Sequence, residues 1–273
     1  MNTIILAVLL LQQVYAPADF TQVSGGSLKA RYDSAIAQAG RASDDSFWIA
    51  YRFPVRKDVR IVARDNNLQI SSTTSSDGIE WIPDAADQQR IAIFLMIGKS
   101  DKLIRSTRLI DLNQNFRVHD RRVYWLGEPN GDESLNLLDA FALDAQQQKN
   151  SSSLFHYMSL HDSPNVASHL LQVARDTTKT VEARRNAINY LGRQVSQQAA
   201  QELEKLSEDP STEIQNAAVQ AIARRPDDES IPTLIRIAKD HPRQTVRQQA
   251  IRSLSNKKDP RVVDFFEQVL KKK

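Results

Sequence analysis

The chain has 273 residues, of which 41% are hydrophobic and 25% charged, with 36 basic side chains against 33 acidic ones. That composition predicts a soluble, globular protein of one or two domains, and the near-balanced net charge of +3 lacks the concentrated positive charge that binding nucleic-acid phosphates demands. There is no Cys, which excludes disulfides, a lipid-anchored Cys, thiol catalysis and cysteine metal ligands.

Ile4 to Leu11 is an unbroken apolar run. Ala16-Pro17-Ala18 comes next as a small-x-small site, with Asp19 after it. The run is too short for the ~20 apolar residues of a membrane span, so residues 1–18 read as a secretory signal peptide. No Lys or Arg lies in this stretch, which departs from the usual basic start. The expectation is an extracytoplasmic protein, periplasmic or secreted, with no membrane span after cleavage.

Residues 24–127 predict a small α+β domain, mainly sheet. Leu28, Tyr32 and Ile36 are spaced four apart, and Gly40 stops the helix they form. Phe47, Ile49, Tyr51, Phe53 and Val55 alternate with Trp48, Ala50 and Arg52, as in a strand. Ile91 to Ile97 is continuously apolar and predicts a central strand. Lys102 to Leu112 and Arg122 to Leu126 predict further strands. Ser71 to Gly78 is a loop by composition. Gly127 to Gly131 is the natural junction between this domain and a helical second half.

From about Asp132 to the end, two helices alternate. Asn186-Ala187-Ile188-Asn189-Tyr190-Leu191 is echoed by Ala217-Ala218-Val219-Gln220-Ala221-Ile222 and by Gln249-Ala250-Ile251-Arg252-Ser253-Leu254. Ala187, Ala218 and Ala250 are 31 and then 32 positions apart. The other helix carries Leu138, Leu170, Leu234 and Phe266 in one register, with Phe141, Val173, Ile237 and Val269 three further on. Leu203 and Leu206 fill the same slots in the unit between. First helices are predicted near 133–144, 165–176, 197–208, 229–240 and 260–271, and second helices near 151–161, 181–192, 212–224 and 244–255. A repeat of this period predicts a solenoid of about four and a half helix pairs, residues 132–273, in which each unit buries its apolar side against its neighbours.

Thr245-Val246-Arg247-Gln248-Gln249-Ala250-Ile251-Arg252-Ser253-Leu254 matches the Val-Arg-x-x-Ala-x-x-x-Leu second helix of one superfamily. Val181 to Ala187 matches with Ala183 in the Val slot. Thr212 to Ala218 matches with Gln215 in the Arg slot. The chain thus resembles the HEAT-repeat superfamily in its short, PBS-lyase-like form. The resemblance implies an all-α solenoid. It is weak for function, since the superfamily includes scaffolds, adaptors, chromophore-lyase relatives and DNA-repair enzymes. It also implies that Arg184 and Arg247 support packing between repeats, and that second helices line the inner, concave side.

Opposite the apolar stripe, three of the second helices carry mostly polar residues and no carboxylate. They are Arg185, Asn186, Asn189 and Arg193; then Asn216, Ala217, Gln220 and Arg224; then Gln248, Gln249, Arg252 and Asn256. Amide and guanidinium groups of this kind can hold a peptide backbone or acidic side chains. A plain solvated helix face has the same composition.

Signs of catalysis are poor. His119, His156, His161, His169 and His241 are scattered, and no His-Glu-x-x-His, Gly-x-Ser-x-Gly or phosphate-cradling loop occurs. Asp44-Asp45 and Asp227-Asp228 fall in predicted turns, where carboxylates serve as caps. Trp48, Trp81 and Trp125 fit strand cores. The expectation is a non-enzymatic scaffold or adaptor with a polar or acidic protein partner, no cofactor, no metal and no nucleic acid. Its alternatives are a nucleic-acid-acting protein of the DNA-glycosylase kind and a chromophore-lyase relative.

Overall fold

The structure, a computed structural model, describes residues 20–57, 59–64, 67–72, 90–113, 118, 121–144, 146, 150–194 and 197–271; side chains between 58 and 89 are not described. The expected signal peptide, Trp81, His119 and most of the 71–78 loop lie outside these residues.

Strands β1 (Thr21–Gln22), β2 (Ser46–Arg52), β5 (Ile91–Gly98), β6 (Ile104–Asp111) and β7 (Val123–Trp125) form one sheet in the order β1-β7-β2-β5-β6. β2 pairs in parallel with β7 and antiparallel with β5. Strands β3 (Val59–Arg64) and β4 (Asn67–Ser72) form a separate antiparallel pair that the pattern did not predict. Ser71 and Ser72, expected in a loop, end β4.

Both sides of the sheet are packed, which explains why β5 is apolar without alternation. Phe47, Ile49 and Tyr51 are at most 1% exposed on one side. On the other, Ala50, Ala92, Phe94, Val123 and Trp125 cluster with Phe20 and Leu112. Trp48 packs on the edge of that cluster. Helix α1 (Leu28–Ala39) begins at Ser27, whose hydroxyl accepts from the Ala30 amide, and ends at Gly40, as the spacing predicts.

Helix α2 (Gly131–Ala142) is expected as the opening helix of the solenoid, yet it packs in the first unit. Tyr32 and Phe141 meet edge to face at 5.2 Å. Glu133 accepts from the Leu28 amide and pairs with Arg31. Ser134 hydrogen-bonds the buried Tyr51 hydroxyl at 3.2 Å and lies 2.7 Å from Nε2 of His161. Periodicity gives α2 its apolar stripe; these polar contacts decide which core receives it.

Eight helices complete the chain: α3 (Ser151–Ser159), α4 (Val166–Arg175), α5 (Val181–Leu191), α6 (Gln197–Leu206), α7 (Thr212–Ala223), α8 (Asp227–Asp240), α9 (Gln244–Ser255) and α10 (Pro260–Lys271). The chain divides into two compact units, one running to Ser153 and including Leu160–Ser163, the other made of Leu154–Ser159 and Pro164–Lys273. In the second unit Leu170, Leu203 and Leu234 of the first helices are fully buried, as are Ala187, Ala218 and Ala250 of the second helices. Leu154, Phe155 and Met158 of α3 are fully buried too. Asp227 and Asp228 lie in the first turn of α8 rather than in a loop, where their charge suits the helix N-terminus. Asp259-Pro260 starts α10 as expected, with Pro260 as its first residue.

Candidate functional site: the polar ridge of the second helices

Helices α5, α7 and α9 are positioned by two ladders of buried polar contacts. In the first, Arg184 of α5 is 5% exposed; its Nε donates to the Ala174 carbonyl at 2.8 Å and its Nη2 pairs with Asp209 in the next repeat. Gln215, one repeat on, donates to the Asp209 carbonyl at 2.7 Å. Arg247 donates to the His241 and Pro242 carbonyls at 2.7 and 2.9 Å, and His241 Nε2 lies 3.1 Å from the Ser207 carbonyl. The residues in the Arg slot therefore satisfy carbonyls left open where first helices end. Arg184 reaches across repeats itself, whereas Arg247 acts through the turn holding His241.

A second ladder was not foreseen. Buried Arg225 donates to the Gln194 carbonyl at 2.7 Å and pairs with Glu229. Lys257 occupies the matching place a repeat later, pairing with Asp227. Arg224 and Arg225 are adjacent in sequence, and composition cannot tell which of two neighbours turns inward.

With the stripe side packed, the opposite side is left outward. Arg185, Arg193, Gln220, Arg224, Gln248 and Arg252 are exposed, and Asn186, Asn189, Asn216 and Gln249 are half-buried. Ala217, expected on the ridge, is instead buried at 5% exposure, because its small side chain lies at the stripe's edge. Asn256 is exposed. Arg224 Nη1 donates to Asn189 Oδ1 at 3.1 Å, tying two repeats together along the ridge.

The ridge is not a smooth surface. Gln220, Ala223 and Arg224 of α7 face Gln249, Arg252, Ser253, Asn256 and Lys257 across an open groove of 640 Å³. No carboxylate lines it. Five of the twelve residues expected on the ridge meet here, Gln220, Arg224, Gln249, Arg252 and Asn256; Ala223 and Ser253 are additions that helical register alone could have supplied, whereas Lys257 lies beyond the end of α9. A smaller groove of 370 Å³ between α6 and α8 differs in kind, since Glu204, Glu208 and Asp240 line it with Lys205 and Arg236.

At the other end of the ridge, the Arg193 guanidinium lies 5.1 Å over the Tyr190 ring, and the His156 ring is 5.4 Å from Tyr190. Burial, and then the Arg193 charge, lower the His156 pKa to about 4. His156 thus stays neutral at pH 7. Among the described residues, no cluster of three or more His, Cys, Asp or Glu could hold a metal ion. His161 and Ser134 form a hydrogen-bonded pair but are completely buried, so the Ser hydroxyl has no route to a substrate.

A family model for HEAT repeats matches residues 167–255 and 200–273. No curated protein matches the chain. Among solved structures, the crystal structure of an engineered protein is similar at 17% identity with a TM-score of 0.25, the match covering 46% of this chain and 55% of that one. No family is recognised in the N-terminal part. Residues 167–273, in the C-terminal half, are HEAT repeats, a type of structure suited to protein-interaction scaffolds.

Proposed function

We propose that this chain is an exported, non-enzymatic scaffold that holds an extended, polar or acidic protein partner along the ridge of its second helices. The observation that carries this reading is the carboxylate-free groove between α7 and α9, where Gln220, Arg224, Gln249 and Arg252 converge. The side chains of Gln220, Gln249 and Arg252 have no hydrogen-bond partner among the described residues, so their donors and acceptors are available to a ligand. Arg gives bidentate contacts to carboxylates, and amides match a peptide backbone. Export rests on the apolar run Ile4 to Leu11 and the Ala16-Pro17-Ala18 site. Among the described residues no helix is long and apolar enough to cross a membrane.

Crosslinking pull-down from the exported fraction, with mass spectrometry, identifies the partner. Calorimetry then compares wild type with the combined Arg193→Glu, Arg224→Glu and Arg252→Glu variant, after circular dichroism confirms its fold. The expected loss is at least tenfold in affinity, about 1.4 kcal/mol. Undiminished affinity in the folded variant rules the ridge out. Tight, steeply salt-dependent binding of wild type to DNA would replace this reading with a nucleic-acid one.

A further inference from the structure

The groove between α7 and α9 opens where the seam before it, between α5 and α7, is strapped. Residues of α5 recur in α7 after 31 positions and those of α7 in α9 after 32, so each pair across one seam has a counterpart across the next. Across the first seam the Arg224 guanidinium donates to the Asn189 side chain, and a Cβ on Gly192 would stand 2.8 Å from the Cβ of Ala221. The matching pairs across the second seam are Asn256 with Gln220 and Ser253 with Ala223. Asn256 does not repeat the strap, since its amide donates to the Arg252 carbonyl of its own helix at 3.2 Å. Ala223 puts a methyl group where α5 has Gly192, so the backbones of α7 and α9 cannot approach as closely there. The second seam stays open as the groove of 640 Å³, and Gln220 is left without the partner that Asn189 has.

We propose that the partner anchors itself in this groove with a single acidic side chain, an Asp or Glu on an extended segment. This rests on the reading of the ridge as the partner's surface and locates the contact that carries it. Charge sets the number of carboxylates. Lys257 is neutralised by Asp227 at 2.6 Å, whereas Arg224 is tied to the neutral Asn189 and keeps its charge. Arg252 has no ion-pair partner among the described residues. Against these two guanidinium charges, the C-terminal ends of α7 and α9 each set roughly half a negative charge. About one positive charge is left over, enough for one carboxylate and too little for a strongly acidic run. Arg252 takes the carboxylate through paired N–H donors. Gln220 holds on α7 the slot that Arg252 holds on α9, and with Gln249 it offers acceptors as well as donors. A carboxylate only accepts, so the amide oxygens pair with backbone N–H groups beside it. Those are free in an extended chain and consumed inside a helical one. The helix ends at the groove present carbonyls rather than the N–H groups that capture a chain's terminal carboxylate, so the anchor is a side chain. Arg193 takes no part: it lies over Tyr190 at 5.1 Å, on the far side of the strapped seam.

NMR of the full, isotope-labelled chain tests this through its Arg Nε–H and Gln amide signals, with three short peptides as probes. Acetyl-Gly-Pro-Glu-Pro-Gly-amide carries one side-chain carboxylate and no terminal one, and its prolines keep it extended. The second peptide has Gln in place of Glu. The third is the Gln peptide with a free C-terminal carboxylate. The expected result is millimolar binding of the Glu peptide, with shifts at Arg252, Gln220 and Gln249, and at least tenfold weaker binding of the other two. Arg252→Gln should abolish the response and Arg193→Gln should leave it as in wild type. Both side chains are exposed, so circular dichroism should be unchanged. No response at these groups, or equal binding of the Glu and Gln peptides, overturns the anchor. Preference for the free terminus overturns it as well. A loss with Arg193→Gln equal to that with Arg252→Gln overturns the anchor while leaving the ridge as the partner's surface. The ridge reading falls separately, when the recovered partner binds the folded triple variant undiminished.

Discussion

Ala218 has no exposed surface, in common with Ala187 and Ala250. Ala218→Leu adds three carbons where none fit and should cost about 1–3 kcal/mol. An unchanged urea midpoint would show that the slot has room. Gly192 records the same closeness, since a Cβ there would stand 2.8 Å from the Cβ of Ala221. Arg184 and Asp209 are a buried pair, at 6% and 9% side-chain exposure. Replacing Arg184 by Met leaves the carboxylate uncompensated and should cost about 3–5 kcal/mol, read in the same urea titration. The small slots were legible because they recur at a fixed period. The inward turn of Arg225 was not, because one Arg beside another carries no periodic signal. His156 adds a pH effect. Its folded pKa of about 4 lies below the ordinary 6.5, so between these values the unfolded chain binds the extra proton. Stability is therefore lost as pH falls from 6.5 toward 4, by about 1–2 kcal/mol between pH 7 and 5. His156→Gln should flatten that part of the slope. Identical slopes in both proteins would assign acid sensitivity to carboxylates instead.

At the scale of elements, three helices start at a side-chain cap, Ser27 for α1, Asn130 for α2 and Thr180 for α5. Thr180 accepts from the Ala183 amide at 3.2 Å and starts α5. Thr180→Ala should destabilise by about 1 kcal/mol, and thermal melts of the two proteins decide it; equal melting points would mean that packing alone sets the start of α5. All the predicted helices of the repeat region occur, within a few residues at each end, because a sustained 3.6-residue apolar rhythm survives any tertiary context. Strands were less legible. β2, β5, β6 and β7 carry enough β-branched and aromatic residues to stand out. β1 has only two residues, and β3 and β4 mix Arg, Gln and Asn into short runs, so neither offers a clear pattern. The placement of α2 also escaped the sequence. Its Leu135 and Leu138 are buried as any first helix would require, but Glu133, Ser134 and Phe141 bind residues of the sheet unit far away in the chain. Contacts over such separations leave no trace in local spacing. The ridge was legible as a face, since helical register fixes it. The groove within it was not, because its depth depends on how α7 and α9 lie side by side.

For the molecule as a whole, the net charge is only +3, with 36 basic side chains against 33 acidic ones. A scaffold of this kind relies on local donors rather than a long-range field, so its partner should bind with a modest dependence on salt. The proposed export rests on a different physical signal. Ile4 to Leu11 is long enough to enter a translocation channel as an apolar segment and too short to remain as a span. Ala16 and Ala18 supply the small side chains that a peptidase site accepts. The mature protein should begin at or near Asp19 and be recovered outside the cytoplasm of its native host. Intact-mass and N-terminal measurements on that material decide the matter. Replacing Ala18 with Arg should block cleavage, so that the intact mass keeps residues 1–18. If the native protein retains Met1 and stays in the cytosol, the apolar run has another use, and the partner must be sought there instead.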